Sequence, residues 1–337
     1  MRQFRLFSQM QFHRPSLSSV PTAAAGLALG LASLGWCADQ LFGFAGKVQL
    51  SAAVLALPLL LAVLLKFLRA PKLLQQELAH PVAGSLLPVM CMATLVQSAA
   101  LQTLMPVLAG GLWWLALTAH LLLLSAFIRY RLAQFALTDL VPAWFIPPIG
   151  FVVAVLTAPV SAPLWLLQVL AGAGLLAYLL MLPLMLYRLR CGTPLPAPQR
   201  PLLAILAAPG SLTLAGLLSL PLVAALPVKV LLGLSAVALL LTLRVWWQLP
   251  GLLRGSFNPA FAACTFPLVI SATALLKLSG YLSQQNAVVL QQLATWQLTL
   301  AQLEFAVALT VCGYVLSRYL WQLGKVWRPA SQIIGSA

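Results

Sequence analysis

Acidic side chains are nearly missing from this 337-residue chain: Asp39, Glu77, Asp139 and Glu304 are all it has, against 19 lysines and arginines. Four carboxylates so far apart supply neither the paired aspartates of a membrane prenyltransferase nor an acidic ring that would favour cations in a pore. Histidine is almost as scarce, at three, and no HExxH motif occurs. The five cysteines, Cys37, Cys91, Cys191, Cys264 and Cys312, form no CxxC pair, and most lie inside apolar runs. They read as small buried hydrophobes, and no metal site is expected. No P-loop is found, no serine or cysteine has an evident base nearby, and the reading is of a protein that is not an enzyme and needs no cofactor. Charged residues make up only 7% of the chain, which leaves no soluble domain and nothing to present to nucleic acid.

What fills the chain is apolar sequence. With 62% hydrophobic residues and a mean hydropathy of +1.00, it reads as an all-α integral membrane protein. Ten candidate spans follow: 20–38, 48–68, 81–104, 107–128, 141–160, 164–187, 201–223, 228–247, 258–281 and 293–320. Residues 1–18 form a basic tail without a cleavage site, 19–323 the ten-helix domain, and 324–337 a second tail.

Lysines and arginines fall on alternate sides of these spans. One side collects 16, including Lys66, Arg131, Arg188 and Arg318, and the other holds only Lys47, Lys229 and Lys277. Both termini are therefore expected in the cytoplasm, with the protein in the inner (plasma) membrane. The net charge of +15 serves mostly this topology and attraction to anionic lipid, with a smaller share left to draw anions towards a pore.

Odd and even spans differ. The five odd ones carry 12 prolines and 8 glycines, the even ones 2 and 6. Bent backbone at membrane depth survives where it packs inside protein or lines a cavity, so the odd spans are expected as an inner ring and the even ones as an outer ring. Five helical hairpins in quasi-fivefold arrangement around a central pore satisfy the pattern. Pro21, Gly26, Pro88, Pro147, Gly150, Pro209 and Gly210 are expected as lining or hinge positions.

The ninth span carries the most specific expectation. Pro267 falls in its middle, frees the carbonyl of Ala263 and loosens the helix where Phe266 projects, so Phe266 is expected to close the pore by volume and by excluding water. Thr265, Ser271 and Thr273 either offer hydroxyls to a passing anion or cap their own helix's carbonyls. Glu304 lies within the tenth span, where a charge is costly, and is read as a structural or subunit-contact group ahead of proton coupling. His80, just before Pro81, is read as part of the turn that starts the third span ahead of any proton transfer, and His120 as a packed polar residue.

Five stretches carry a resemblance: VPTAAAGLALGLASLGW from Val20, ELAHPVAGSLLP from Glu77, WFIPPIG from Trp144, LAILAAPGSL from Leu203 and FNPAFAACTFPL from Phe257. In this order and spacing the chain resembles the tellurite-resistance and dicarboxylate transporter family, which includes bacterial TehA proteins, fungal malate and sulfite transporters, and the slow anion channels of plant guard cells. The resemblance implies a homotrimer with one pore per subunit and passive or proton-linked movement of small inorganic or dicarboxylate anions. It also implies a phenylalanine on the ninth helix that occludes the pore, which Phe266 matches. The chain departs from the family in having Ala262 after Phe261, an early Pro88 and a double proline at Pro147 and Pro148, all of which bear on pore shape. The function expected is a gated anion channel or uniporter. The alternative is a proton-linked C4-dicarboxylate (malate-type) transporter, or an exporter of tellurite or sulfite.

Overall fold

A computed structural model describes residues 17–326, with side chains to 323, and among these residues the protein is helical without a strand. Most of the expected tails, with Arg2, Arg5, Arg14 and Arg328, lies outside the described residues. Among the described residues, nine helices are long and apolar enough to cross a membrane: α1 (Ala24–Phe42), α2 (Lys47–Arg69), α3 (Pro81–Leu101), α4 (Pro106–Ala133), α6 (Leu164–Cys191), α7 (Ala197–Leu218), α8 (Val228–Leu252), α9 (Pro259–Ser283) and α10 (Val288–Val326). A short linker helix, Pro71–Ala79, joins α2 to α3.

The expected fifth span departs from this pattern. In its place is a shorter apolar helix, α5 (Pro142–Leu156), assembled from alternating pieces of 3₁₀ and α geometry. Pro142, Pro147 and Pro148 each remove a backbone donor, so no continuous α-helical ladder can form. The 3₁₀ pieces rise ~2.0 Å per residue against ~1.5 Å in an α-helix, and the segment gains reach from them. Its two ends lie beside opposite ends of α3. Trp144 Nε1 donates to the Pro81 carbonyl at 3.1 Å, and Gln102, just past α3, donates through Nε2 to the Thr157 carbonyl at 2.7 Å. Side chains of α4 meet the broken backbone between them. His120 Nε2 donates to the Pro147 carbonyl at 3.0 Å, and Trp113 Nε1 to that of Ala154 at 3.0 Å. In a medium without water, such donors are what make irregular backbone tolerable.

The same economy shapes α7 and α9, which start as 3₁₀ helix (Ala197–Ala207 and Pro259–Cys264) and continue as α-helix. Pro267 therefore does not bend a continuous helix, as the sequence suggests. It occupies the first turn of the α-helical part, Phe266–Ser283, where a missing N–H costs no intrahelical bond.

Burial separates the helices into two sets. Between 61% and 89% of the central residues of α1, α3, α7 and α9 are buried, against 22% to 33% for α2, α4, α6, α8 and α10. Exposed side chains such as Leu115, Leu122, Leu180, Leu240 and Trp296 on the second set are apolar, as a lipid-facing surface requires.

Four of the hairpins are closed in the same way. Near the end of each even helix a cation reaches back to a carbonyl just before the odd helix of its own pair: Lys66 to Val20, Arg131 to Ala79, Arg188 to Thr138 and Arg318 to Gly255. Lys66, Arg131 and Arg188 are buried in doing so. Among the described residues the α7–α8 pair has no equivalent.

Candidate functional site

The five odd elements converge on one cavity of about 70 Å³, room for a few waters or one small anion. Every one of them contributes to its wall, and no even helix does. Thr22, Leu202 and Ala260 line it near the starts of α1, α7 and α9, and Leu29, Met92 and Phe266 line it further along α1, α3 and α9. The wall is almost wholly apolar, and Thr22 bears its single hydroxyl.

Of the residues expected to line a pore, Gly26, Gly150, Pro209, Phe266 and Pro267 do line this cavity. Pro21, Pro88, Pro147 and Gly210 are not in its wall. Nor are the three hydroxyls of α9, because each is already bonded. Thr265 Oγ1 donates to the Ala262 carbonyl at 2.7 Å and lies 3.2 Å from that of Gly26, Thr273 donates to Val269, and Ser271 shares a bond of 3.0 Å with Thr242 on α8. Thr265 and Thr273 thus bond carbonyls of their own helix, whereas Ser271 ties α9 to α8.

Phe266 is held from behind. A Cβ on Gly30 would run into the Thr265 side chain and come within 3.2 Å of the Phe266 nitrogen, so glycine lets α1 pack against the backbone that presents the ring. Gly150 does the same on the opposite wall, where a Cβ would stand 2.6 Å from Met92 Sδ and 2.9 Å from His120 Cε1.

The cavity is thus walled by all five odd elements, is apolar apart from the Thr22 hydroxyl, and has the Phe266 ring in its wall. Along the sequence as a whole, a family model described as voltage-dependent anion channel, SLAC1, matches residues 13–320. The chain belongs to the SLAC1 family. An uncharacterized transporter of Methanocaldococcus jannaschii is 29% identical over 152 residues, a stretch covering 41% of this chain and 44% of that protein, so the likeness spans less than half of either. The apolar helices make the chain a multi-pass membrane protein, and the family's description agrees with the resemblance drawn from its motifs.

The two ionisable groups weighed for proton coupling, Glu304 and His80, are not in the cavity wall of this SLAC1-family chain. Glu304 is 1% exposed, and neither carboxylate oxygen has a hydrogen-bond partner. It packs inside the chain, near Ser271 of α9 and Cys37 of α1. His80 Nδ1 accepts from the Val82 and Ala83 amides at 3.2 Å each, the N-cap of α3. Sequence reasoning counted Lys66 only among the topology charges and gave Thr22 no role. The structure joins them to Glu77: Lys66 Nζ lies 2.6 Å from Glu77 Oε1 and 2.9 Å from Thr22 Oγ1. The signal that could have found them is the position of Lys66 in an apolar run, three residues before α2 ends at Arg69.

Proposed function

We propose that this protein is a gated anion channel or uniporter, with small anions passing along the cavity lined by α1, α3, α5, α7 and α9 and blocked at Phe266. The observation that carries the reading is the convergence of all five odd elements on one cavity that Phe266 helps to line. The alignment of α5 with α3 from one end to the other supports counting α5 as a tenth crossing. Ten crossings would put both termini on the basic, cytoplasmic side, and a homotrimer with one pore per subunit is part of the same proposal. An apolar wall without a fixed cation suits conduction, since an anion must bind weakly enough to leave.

The second reading, a proton-linked carrier of C4-dicarboxylate, tellurite or sulfite, draws on one observation: a carboxylate at Glu304 that is buried and unbonded within the membrane-spanning region. One experiment separates the two. In proteoliposomes with a membrane potential and no pH gradient, Phe266→Ala is expected to raise anion flux several-fold over the native protein. Unchanged flux in folded Phe266→Ala removes the ring from the gate, and flux that appears only when protons move puts the carrier in place of the channel.

A further inference from the structure

Thr22, on the cavity wall just before α1, forms a closed triangle with Lys66 and Glu77. Lys66 Nζ meets Glu77 Oε1 at 2.6 Å, Thr22 Oγ1 at 2.9 Å and the Val20 carbonyl at 3.0 Å, while Thr22 Oγ1 donates to Glu77 Oε2 at 2.6 Å. Three features distinguish this from a surface ion pair. The cation is nearly out of reach of solvent, at 4% exposure, so its charge is poorly screened. The two carboxylate oxygens divide between the ammonium and the hydroxyl, which is how a free carboxylate or small oxyanion would sit on the same donors. Lastly, the donors and the acceptor come from different elements: Lys66 ends α2 and Thr22 precedes α1 on the cavity wall, whereas Glu77 arrives on the linker helix and remains 17% exposed.

Resting on the channel reading, we propose that Lys66 Nζ and Thr22 Oγ1 form an anion site at the cavity wall. Glu77 occupies it with its own carboxylate in this structure, and a small carboxylate or oxyanion takes it when Glu77 withdraws. Lys66 keeps three contacts after that withdrawal: the Val20 carbonyl, the Thr22 hydroxyl and the ring of Phe67, whose centroid lies 4.8 Å from Nζ. It stays in position without being neutralised. A cation left in so dry a place draws an anion strongly, and Thr22 gives that anion a second donor directly on the path towards Phe266. Glu77 then acts as a tethered competitor of the permeating ion.

The test replaces Glu77 with alanine, which removes the competitor and leaves room for a ligand. Acetate is expected to raise the unfolding temperature of purified Glu77→Ala by a few degrees while leaving the native protein unmoved, as binding to the folded state alone requires. Flux of Glu77→Ala at low anion concentration is expected to exceed the native value several-fold, and adding Lys66→Met should abolish both effects. A purely structural ion pair predicts no gain in flux, so Glu77→Ala that is folded and conducts no better than native overturns the proposal. Absence of an acetate response does so as well. Should Glu77→Ala fail to fold, Glu77→Asp retains the charge one methylene short of the site, and the same two readouts with smaller amplitude decide. The acetate response does not depend on conduction. Its presence beside an inert Phe266→Ala would fault the channel reading alone, and its absence beside an active Phe266→Ala would fault only this site.

Discussion

Phe266 is buried, and Gly30 packs against the adjacent Thr265 and the Phe266 nitrogen, which makes the gate proposed there sensitive to changes that never touch the cavity. Gly30→Ala is the sharpest case. The added methyl must displace Thr265, whose hydroxyl bonds to Ala262 and approaches the Gly26 carbonyl, and it crowds the Phe266 amide. Overpacking of this kind costs roughly 1–3 kcal/mol. Thermal unfolding in detergent should show that loss, and anion flux should change with it because the displaced backbone carries the ring. A stable Gly30→Ala with native flux would mean that α1 does not position Phe266. At this scale the sequence was readable for side chains whose use follows from shape, such as Phe266, Gly26 and Pro209. It was not readable for hydroxyls: Thr265, Ser271 and Thr273 look alike as donors to an anion or to a carbonyl one turn back, and only coordinates tell which. Lys66 was hidden for a similar reason, since a lysine at the end of a span reads as a topology charge until its partner on another element is known.

Among the elements, α5 shows how a proline-rich segment can hold a place beside full-length helices. Its irregularity was legible, because three prolines and Gly150 exclude a continuous ladder. What the sequence could not show is that α4 supplies the missing donors, because Trp113 and His120 look like ordinary members of an apolar run. His120 is fully buried, its ring edge-on to Phe151 at 6.0 Å between centroids, and its Nε2 meets the Pro147 carbonyl. His120→Leu keeps most of the bulk and leaves that carbonyl without this donor, which costs about 1–3 kcal/mol. The expected result is a lowered unfolding temperature, with His120→Gln, which retains a donor, losing less. Equal losses for Leu and Gln would show that volume rather than the hydrogen bond holds α5. The same comparison explains why the expected boundaries of α7 and α9 were displaced: 3₁₀ turns lead into both, and a hydropathy window does not register a change of helical pitch.

For the molecule as a whole, the alternation of proline and glycine predicted the alternation of burial, and the two-ring division follows from one physical rule about unsatisfied backbone in lipid. Orientation is a separate matter, set by charge, and it can be read without altering the protein. Cys37, Cys91, Cys264 and Cys312 are buried, whereas Cys191 is exposed at the end of α6, one residue past Arg190 and three past the buried Arg188 that ties Thr138 and Thr193. That end belongs to the side carrying Lys66, Arg131 and Arg318, each bonded to the carbonyl before its own odd helix. In the orientation proposed above, the excess of basic residues there puts it in the cytoplasm. A membrane-impermeant maleimide should therefore label the native protein at Cys191 in inverted vesicles and leave it unlabelled in intact spheroplasts, with Cys191→Ser abolishing the signal. Labelling from outside would turn the whole molecule over. The cation-tied ends of four hairpins would then face the periplasm, the Lys66–Glu77 site would receive anions from that side, and Phe266 would close the cavity against the cytoplasm.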